Sequence, residues 1–128
     1  MVAGILVGHR DFPQALLNAA ESIMGKQDNF QIVSNEQCSA DELKNRIENA
    51  IKILGNQDII IFVDVLGGSC GIVSGGLVKQ PREKQIAVFN YASLPILIKF
   101  FQYRSQYEFK ALLELLEKSA KEGIKILT

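Results

Sequence analysis

Short, continuous apolar runs alternate along this chain with longer segments whose apolar residues recur every three or four positions. The first pattern is typical of strands that are buried on both faces of a parallel sheet, and the second of helices that cover such a sheet. The run Ile59–Val63 is the clearest strand, because all five residues are β-branched or aromatic. The other predicted strands are Val2–Val7, Phe30–Val33 and Gln85–Phe89.

Five helices are predicted between and after these strands. The most secure one follows Ser39 and Glu42, whose spacing is that of a capping box, in which two side chains satisfy free backbone donors at a helix start. Its apolar stripe runs from Leu43 to Leu54. Three glycines within the predicted helix at about 70–79 indicate close packing there. The other helices have apolar stripes that begin at Leu16, Leu94 and Phe109 and end near Gly25, Gln102 and Gly123.

This alternation of strands and helices predicts an α/β fold: a doubly wound, mainly parallel sheet with helices on both faces. A length of 128 residues fits a single domain over residues 1–128. Ile124–Leu127 could form a last strand, either at an edge of the sheet or swapped antiparallel across a dimer. Ligands of doubly wound sheets bind beyond the carboxyl ends of the strands, where the strand order reverses. We therefore expect functional residues directly after the first, third and fourth strands.

Charge and composition exclude several classes of protein. Basic and acidic residues both number 14, so the chain has no net basic field to attract nucleic acid. No apolar run approaches the roughly 20 residues of a membrane-spanning helix, and Met1–Val7 lacks the features of a signal peptide, so we expect a cytoplasmic protein. Cys38 and Cys70 have no metal-ligand spacing along the chain, and we expect neither a disulfide nor a zinc site.

Two side chains suited to acid–base or nucleophilic chemistry follow predicted strands. His9, the only histidine, comes two residues after the first strand, and Asp64 comes directly after the third. If these strands are neighbours, as in flavodoxin-like sheets, the two side chains face each other. A carboxylate that accepts a hydrogen bond from one ring nitrogen fixes the tautomer and leaves the other nitrogen free to attack. The pair predicts phosphoryl transfer through a histidine nucleophile.

The residues after Asp64 suit an anion. Gly67 and Gly68 let backbone amides approach a phosphoryl group, and Ser69 adds a hydroxyl near a helix start. Asp, Gly and Ser also form ordinary turns and caps, so a small-anion-binding module without transfer chemistry stays open. A serine hydrolase built on Ser69 is disfavoured, and no Walker loop or dinucleotide fingerprint is present. We expect no cofactor and no metal ion.

The chain resembles the mannose-type enzyme IIA domain of the bacterial phosphoenolpyruvate-dependent sugar phosphotransferase system over nearly its whole length. The resemblance lies in Val7-Gly8-His9, in Asp64–Ser69, and in Asn90 with Pro95. It implies that His9 accepts a phosphoryl group from the phosphocarrier HPr and passes it to an enzyme IIB partner. Asp64 would orient His9, and Ser69 would contact the phosphate. It also implies a homodimer that exchanges a C-terminal edge strand and is peripheral to a membrane permease at most.

The chain departs from this family's pattern at the rim of the site. Arg10, Asp11 and Phe12 follow the histidine where the family usually has a small residue, and Cys70 replaces a proline. Arg10 and Asn90 are candidate rim residues; Arg10 would contact phosphate or remain a solvated cation, and Cys70 is assigned no catalytic role. Two other functions stay open: a regulatory phosphohistidine protein without a transport role, and a phosphodonor subunit of dihydroxyacetone kinase.

Overall fold

The computed structural model describes residues 1–128, which form four strands and five helices in the predicted order. None of the helices combines the length and the apolar character needed to cross a lipid bilayer. The strands are β1 (Ala3–Gly8), β2 (Phe30–Ser34), β3 (Ile59–Val63) and β4 (Ile86–Phe89). The helices are α1 (Phe12–Met24), α2 (Ala40–Ile53), α3 (Ser69–Val78), α4 (Leu94–Tyr103) and α5 (Phe109–Gly123).

The four strands form one parallel sheet in the order β2-β1-β3-β4. The chain therefore moves from β1 outward to β2 and then crosses back to β3 on the other side of β1. This confirms the predicted doubly wound α/β fold. β1 and β3 are hydrogen-bonded neighbours, and Val7 lies opposite Val63. The segments that follow these two strands consequently leave the sheet side by side.

Each face of the sheet has its own hydrophobic core, because successive strand residues point to opposite faces. Helices α2 and α3 cover one face, and α1, α4 and α5 cover the other. All five residues of β3 are buried, which explains the continuous apolar run in the sequence. The first core includes Ile5, Val7, Ile61, Ile47 and Leu77; the second includes Leu6, Phe62, Phe100, Leu97 and Leu112.

Local sequence signals predicted the start of α2 correctly, whereas the apolar stripe of α1 begins after the helix does. The Ser39 hydroxyl accepts a hydrogen bond from the backbone N–H of Glu42, and the Glu42 carboxylate accepts one from the N–H of Ser39, which confirms the capping box. Helix α1 begins at Phe12, four residues before the apolar stripe at Leu16. Pro13 fits the first turn of a helix, where its missing N–H costs no hydrogen bond.

No strand forms at the C-terminus within the chain, contrary to one prediction. The residues after Gly123 have no regular secondary structure and pair with no strand of the sheet. Ile124, Ile126 and Leu127 are 84%, 90% and 93% exposed, so this apolar segment contributes nothing to either core. An isolated segment of four or five residues is a strand only when it pairs with another strand, and this segment lies against neither edge of its own sheet. Pairing across a dimer stays a prediction.

Gly71 of α3 controls how closely this helix packs against the turn after β3. A Cβ at Gly71 would collide with the backbone carbonyl oxygen of Leu66, whereas a Cβ at Gly76 in the same helix would meet open space. We expect Gly71→Ala to lower the free energy of unfolding by about 1–3 kcal/mol through overpacking. Gly76→Ala should be neutral or should stabilise the protein by about 0.5–1 kcal/mol, because alanine is the better helix former.

Urea unfolding followed by circular dichroism measures both changes. Equal effects of Gly71→Ala and Gly76→Ala would show that the contact between α3 and the turn does not constrain the fold.

Candidate functional site

The Asp64 carboxylate accepts two hydrogen bonds from His9 and a third from its own turn. Its Oδ2 atom accepts hydrogen bonds from the backbone N–H of His9 and from ring atom Nδ1, both at 2.8 Å. Its Oδ1 atom accepts a bond from the backbone N–H of Val65, also at 2.8 Å. The Asp64 side chain is only 11% exposed, while that of His9 is 46% exposed. The prediction that the two side chains face each other across neighbouring strands is confirmed.

This contact determines which ring nitrogen of His9 can react. A carboxylate accepts hydrogen bonds and has none to donate, so the neutral imidazole carries its proton on Nδ1. Nε2 then has a free lone pair. Nearly half of the His9 side chain is exposed, so the ring is open to solvent on the side away from Asp64. The pair has the geometry of an oriented nucleophile.

The free edge of the His9 ring lies against the start of α3. A Cβ at Gly68, the N-cap residue, would be 3.3 Å from Cε1 and 3.7 Å from Nε2, so glycine allows the close approach. The backbone N–H of Ser69, the first helical residue, has no acceptor within the chain. Free donors at a helix start, together with the helix dipole, favour a negative charge there. An anion attached to Nε2 would therefore lie beside an electropositive helix end.

The turn after His9 is held by residues that the sequence analysis overlooked. Arg10 has a left-handed backbone, with φ of 51°, which is strained for a side-chain-bearing residue. Its N–H donates to Asn35 Oδ1 at 3.2 Å, and its carbonyl accepts from the Ser34 hydroxyl at 2.6 Å. Ser34 and Asn35 lie at the carboxyl end of β2, which pairs with β1. All parallel strands of a sheet end at the same edge. The pairing of β1 with β2 therefore places Ser34 and Asn35 beside the turn after His9, and these residues could have been found from that pairing.

The two candidate rim residues make no hydrogen bond to the His9–Asp64 pair. The guanidinium of Arg10 makes no ion pair within the chain. Asn90 follows β4, and its Oδ1 atom is buried without a hydrogen-bond partner. The Ala92 N–H donates to the carbonyl of Val63 at 3.0 Å, so the segment after β4 crosses the end of β3. Phosphate contact by Arg10 or Asn90 stays a prediction.

Cys70 lies much closer to the site than its position in the sequence indicated. One metal-ligating atom from each of His9, Asp64 and Cys70 lies within 4.8 Å of the other two. Cys70 is fully buried. Burial raises the pKa of its thiol to about 11, and the negative charge of Asp64 acts in the same direction. The thiol is therefore protonated at neutral pH and is no nucleophile.

The backbone at Ser69, rather than its sequence context, excludes a serine hydrolase. Residues 67–71 read Gly-Gly-Ser-Cys-Gly, which does match the Gly-x-Ser-x-Gly spacing of a nucleophile elbow. Such an elbow holds its serine in a strained turn, whereas Ser69 is absent from the residues with positive φ and is the first residue of a regular helix. No hydrogen bond joins the Ser69 hydroxyl to Nε2 of His9. Ser69 is consequently not placed as a hydrolase nucleophile.

Comparisons with known proteins agree with the fold and with the family resemblance seen in the sequence. The sequence model of the family described as "PTS system fructose IIA component" matches residues 4–117. The "PTS system fructose-specific EIIA component" of Bacillus subtilis (strain 168) is 24% identical over 128 residues, covering 98% of this chain and 86% of that protein.

Two solved structures are also similar. Phosphotransferase system component EIIA from Streptococcus agalactiae has a TM-score of 0.90 at 25% identity, with 98% of this chain and 97% of that chain covered. The mannose/sorbose-specific IIA subunit from Enterococcus faecalis has a TM-score of 0.84 at 17% identity, with 99% and 95% covered, a likeness of fold.

The structure defines a class of α/β protein that presents a carboxylate-oriented histidine where the strand order of a parallel sheet reverses. The chain belongs to the fructose IIA component family of the sugar phosphotransferase system. The resemblance to the mannose-type enzyme IIA domain is thereby confirmed. As a member of this family, the protein is a phosphoryl-transfer component of sugar uptake.

Proposed function

We propose that this protein is a cytoplasmic phosphocarrier that takes a phosphoryl group from phospho-HPr on Nε2 of His9 and passes it to an enzyme IIB partner. The observation that carries the proposal is the 2.8 Å contact between Nδ1 of His9 and Oδ2 of Asp64. This contact keeps the ring proton on Nδ1 and away from Nε2. Family membership supports the donor and the acceptor.

The transfer needs no change of protonation at the nucleophile. As the bond between phosphorus and the donor nitrogen breaks, the lone pair of Nε2 forms the new bond, and Nδ1 keeps its proton. The positive charge that develops on the ring is offset by the Asp64 carboxylate at 2.8 Å. When the phosphoryl group leaves for the acceptor, the bond to Nε2 breaks and the ring returns to its neutral tautomer.

The phosphoryl oxygens are held by the turn before α3. Gly68 lies against the edge of the ring that carries Nε2, and Gly67 adds no side chain that would block the approach. The unpaired N–H and the exposed hydroxyl of Ser69 supply donors at the positive end of the helix dipole. Gly67, Gly68 and Ser69 thus bind the phosphoryl group, and Asp64 and His9 perform the transfer.

Exposed apolar side chains at the same edge of the sheet support docking of protein partners. We call these side chains the apolar rim; each is between 40% and 76% exposed, and all belong to the segments that follow β1, β3 and β4. Large exposed apolar groups clustered beside a reactive residue are typical of a protein interface. The apolar rim consists of Phe12, Val65, Leu66, Ile72 and Tyr91.

Replacing His9 should abolish phosphorylation, because the chain has no other histidine. Phosphoenolpyruvate, enzyme I and HPr are incubated with wild type and with His9→Gln, and intact mass is measured at alkaline and acidic pH. Wild type should gain one acid-labile phosphoryl group and His9→Gln none. Adding enzyme IIB to the phosphorylated wild type should then remove the group.

Either of two results would contradict this function. A phosphoryl group on His9→Gln would place the chemistry elsewhere, and an unphosphorylated wild type beside a cognate, phosphorylated HPr would favour an anion-binding module. Transfer from HPr but not onward to IIB would point to a regulatory protein or to a phosphodonor of dihydroxyacetone kinase.

A charge on the apolar rim should slow the transfer without touching the chemistry. We expect Tyr91→Asp to lower the rate of transfer from phospho-HPr by at least tenfold, because a buried, unpaired carboxylate weakens an interface and Tyr91 lies outside the turn that holds the phosphoryl group. Ile53→Asp is the matched control, since Ile53 is similarly exposed, at 68%, on the last turn of α2 and outside the apolar rim. Quenched-flow phosphotransfer measures both rates. Equal rates for the two variants would exclude the apolar rim as the docking surface.

We further propose that the protein is a homodimer in which residues 124–128 pair with a sheet edge of the second copy. Apolar Ile124, Ile126 and Leu127 are almost fully exposed in the single chain, and β2 and β4 have free edges. Sedimentation equilibrium tests this directly. A wild type that stays monomeric, or an Ile126→Asp variant that stays dimeric, would contradict this arrangement.

A further inference from the structure

The immediate surroundings of the His9–Asp64 pair hold a third side chain that can bind a metal ion. Cys70 approaches from the first turn of α3, His9 from the end of β1 and Asp64 from the end of β3. One ligand atom of each lies within 4.8 Å of the other two. A histidine nitrogen, a carboxylate oxygen and a sulfur are all accepted ligands of Zn²⁺. The spacing of these residues along the chain gave no sign of the cluster.

The separations suit a zinc ion after small adjustments. Zinc–ligand bonds of about 2.0–2.3 Å put neighbouring ligand atoms of a tetrahedral site roughly 3.3–3.8 Å apart. Since no two of the three ligand atoms are more than 4.8 Å apart, each separation has to close by at most about 1.5 Å, and the 2.8 Å between His9 and Asp64 has to open slightly. His9 is free to move, because its side chain is 46% exposed and bonded only to Asp64.

Charge also favours a divalent cation. A thiol that coordinates zinc gives up its proton, so Cys70 and Asp64 together supply two negative charges. These charges neutralise the ion in a site from which water is partly excluded, since Asp64 is 11% exposed and Cys70 is buried. Three protein ligands leave a fourth position open on the solvent side of His9, as in exchangeable zinc sites.

We propose that His9, Asp64 and Cys70 bind one Zn²⁺ ion and that this ion inhibits phosphorylation of His9. Zinc on Nδ1 displaces the bond to Asp64, and the neutral ring then carries its proton on Nε2, which loses its lone pair. Zinc on Nε2 occupies that lone pair directly. Both arrangements remove the nucleophile. Binding is independent of the proposed phosphocarrier function, whereas inhibition rests on it.

Metal binding is tested first on metal-free, reduced protein. Isothermal titration with Zn²⁺ gives the affinity, and Co²⁺ as a probe shows a thiolate-to-metal charge-transfer band only if sulfur is a ligand. We expect one site in wild type, with the band present. Cys70→Ser should lose the band and bind at least tenfold more weakly, and His9→Gln should bind at least tenfold more weakly while its residual complex keeps the band. Cys38→Ser is the matched control and should bind like wild type, because Cys38 lies outside the cluster.

Several results would overturn the metal site: no binding, unchanged binding by Cys70→Ser, or loss of the band in Cys38→Ser. Circular dichroism on each variant separates loss of ligand from loss of fold. Phosphotransfer is then measured with and without Zn²⁺ at a saturating level for wild type.

With Zn²⁺ at about ten times the Kd of wild type, the rate without Zn²⁺ divided by the rate with Zn²⁺ should be about ten for wild type and about two or less for Cys70→Ser, and a chelator should return both ratios to one. Inhibition of Cys70→Ser equal to that of wild type would overturn the mechanism of inhibition. Absence of transfer in metal-free buffer would instead count against the phosphocarrier function and leave the binding result intact.

Discussion

The structure of the site depends on one carboxylate, that of Asp64. Its two oxygens accept three hydrogen bonds, two from His9 and one from Val65, and these bonds fix the ends of β1 and β3 relative to each other. Removing the carboxylate would leave two backbone donors without an acceptor, at a cost of about 1–3 kcal/mol for each one that is buried. The same group sets the tautomer of the only histidine. Stability of the turn and reactivity of the ring thus have a common origin.

The neighbours of this carboxylate are constrained for the same reason. A Cβ at Gly8 would be 3.2 Å from Oδ2 of Asp64 and 3.1 Å from the ring of Pro13, so even alanine there would require one of these side chains to shift by a few tenths of an ångström. Gly68 is constrained in the same way, because a Cβ there would be 3.3 Å from Cε1 of His9. A TM-score of 0.90 at 25% identity shows that the fold itself tolerates extensive change of sequence.

Most of the fold was predictable because its signals are local. Buried parallel strands read as apolar runs, and the capping box at Ser39 marked the start of α2 correctly. The His9–Asp64 contact could be predicted once the strands and their order were assigned, since neighbouring parallel strands end at the same edge of a sheet. What escaped the sequence analysis depends on contacts between separate elements. The anchoring of Arg10 by Ser34 and Asn35 and the approach of Cys70 to His9 are of this kind.

Asp64 holds the proton of the neutral His9 ring on Nδ1 and leaves Nε2 without one. Nitrogen-15 NMR of the single histidine measures this directly in the unphosphorylated, metal-free protein, at a pH where the ring is neutral. The account predicts one ring nitrogen with the shift of a protonated, pyrrole-type atom at Nδ1 and one with the shift of an unprotonated atom at Nε2. A proton on Nε2, or averaged shifts of a freely exchanging ring, would contradict it.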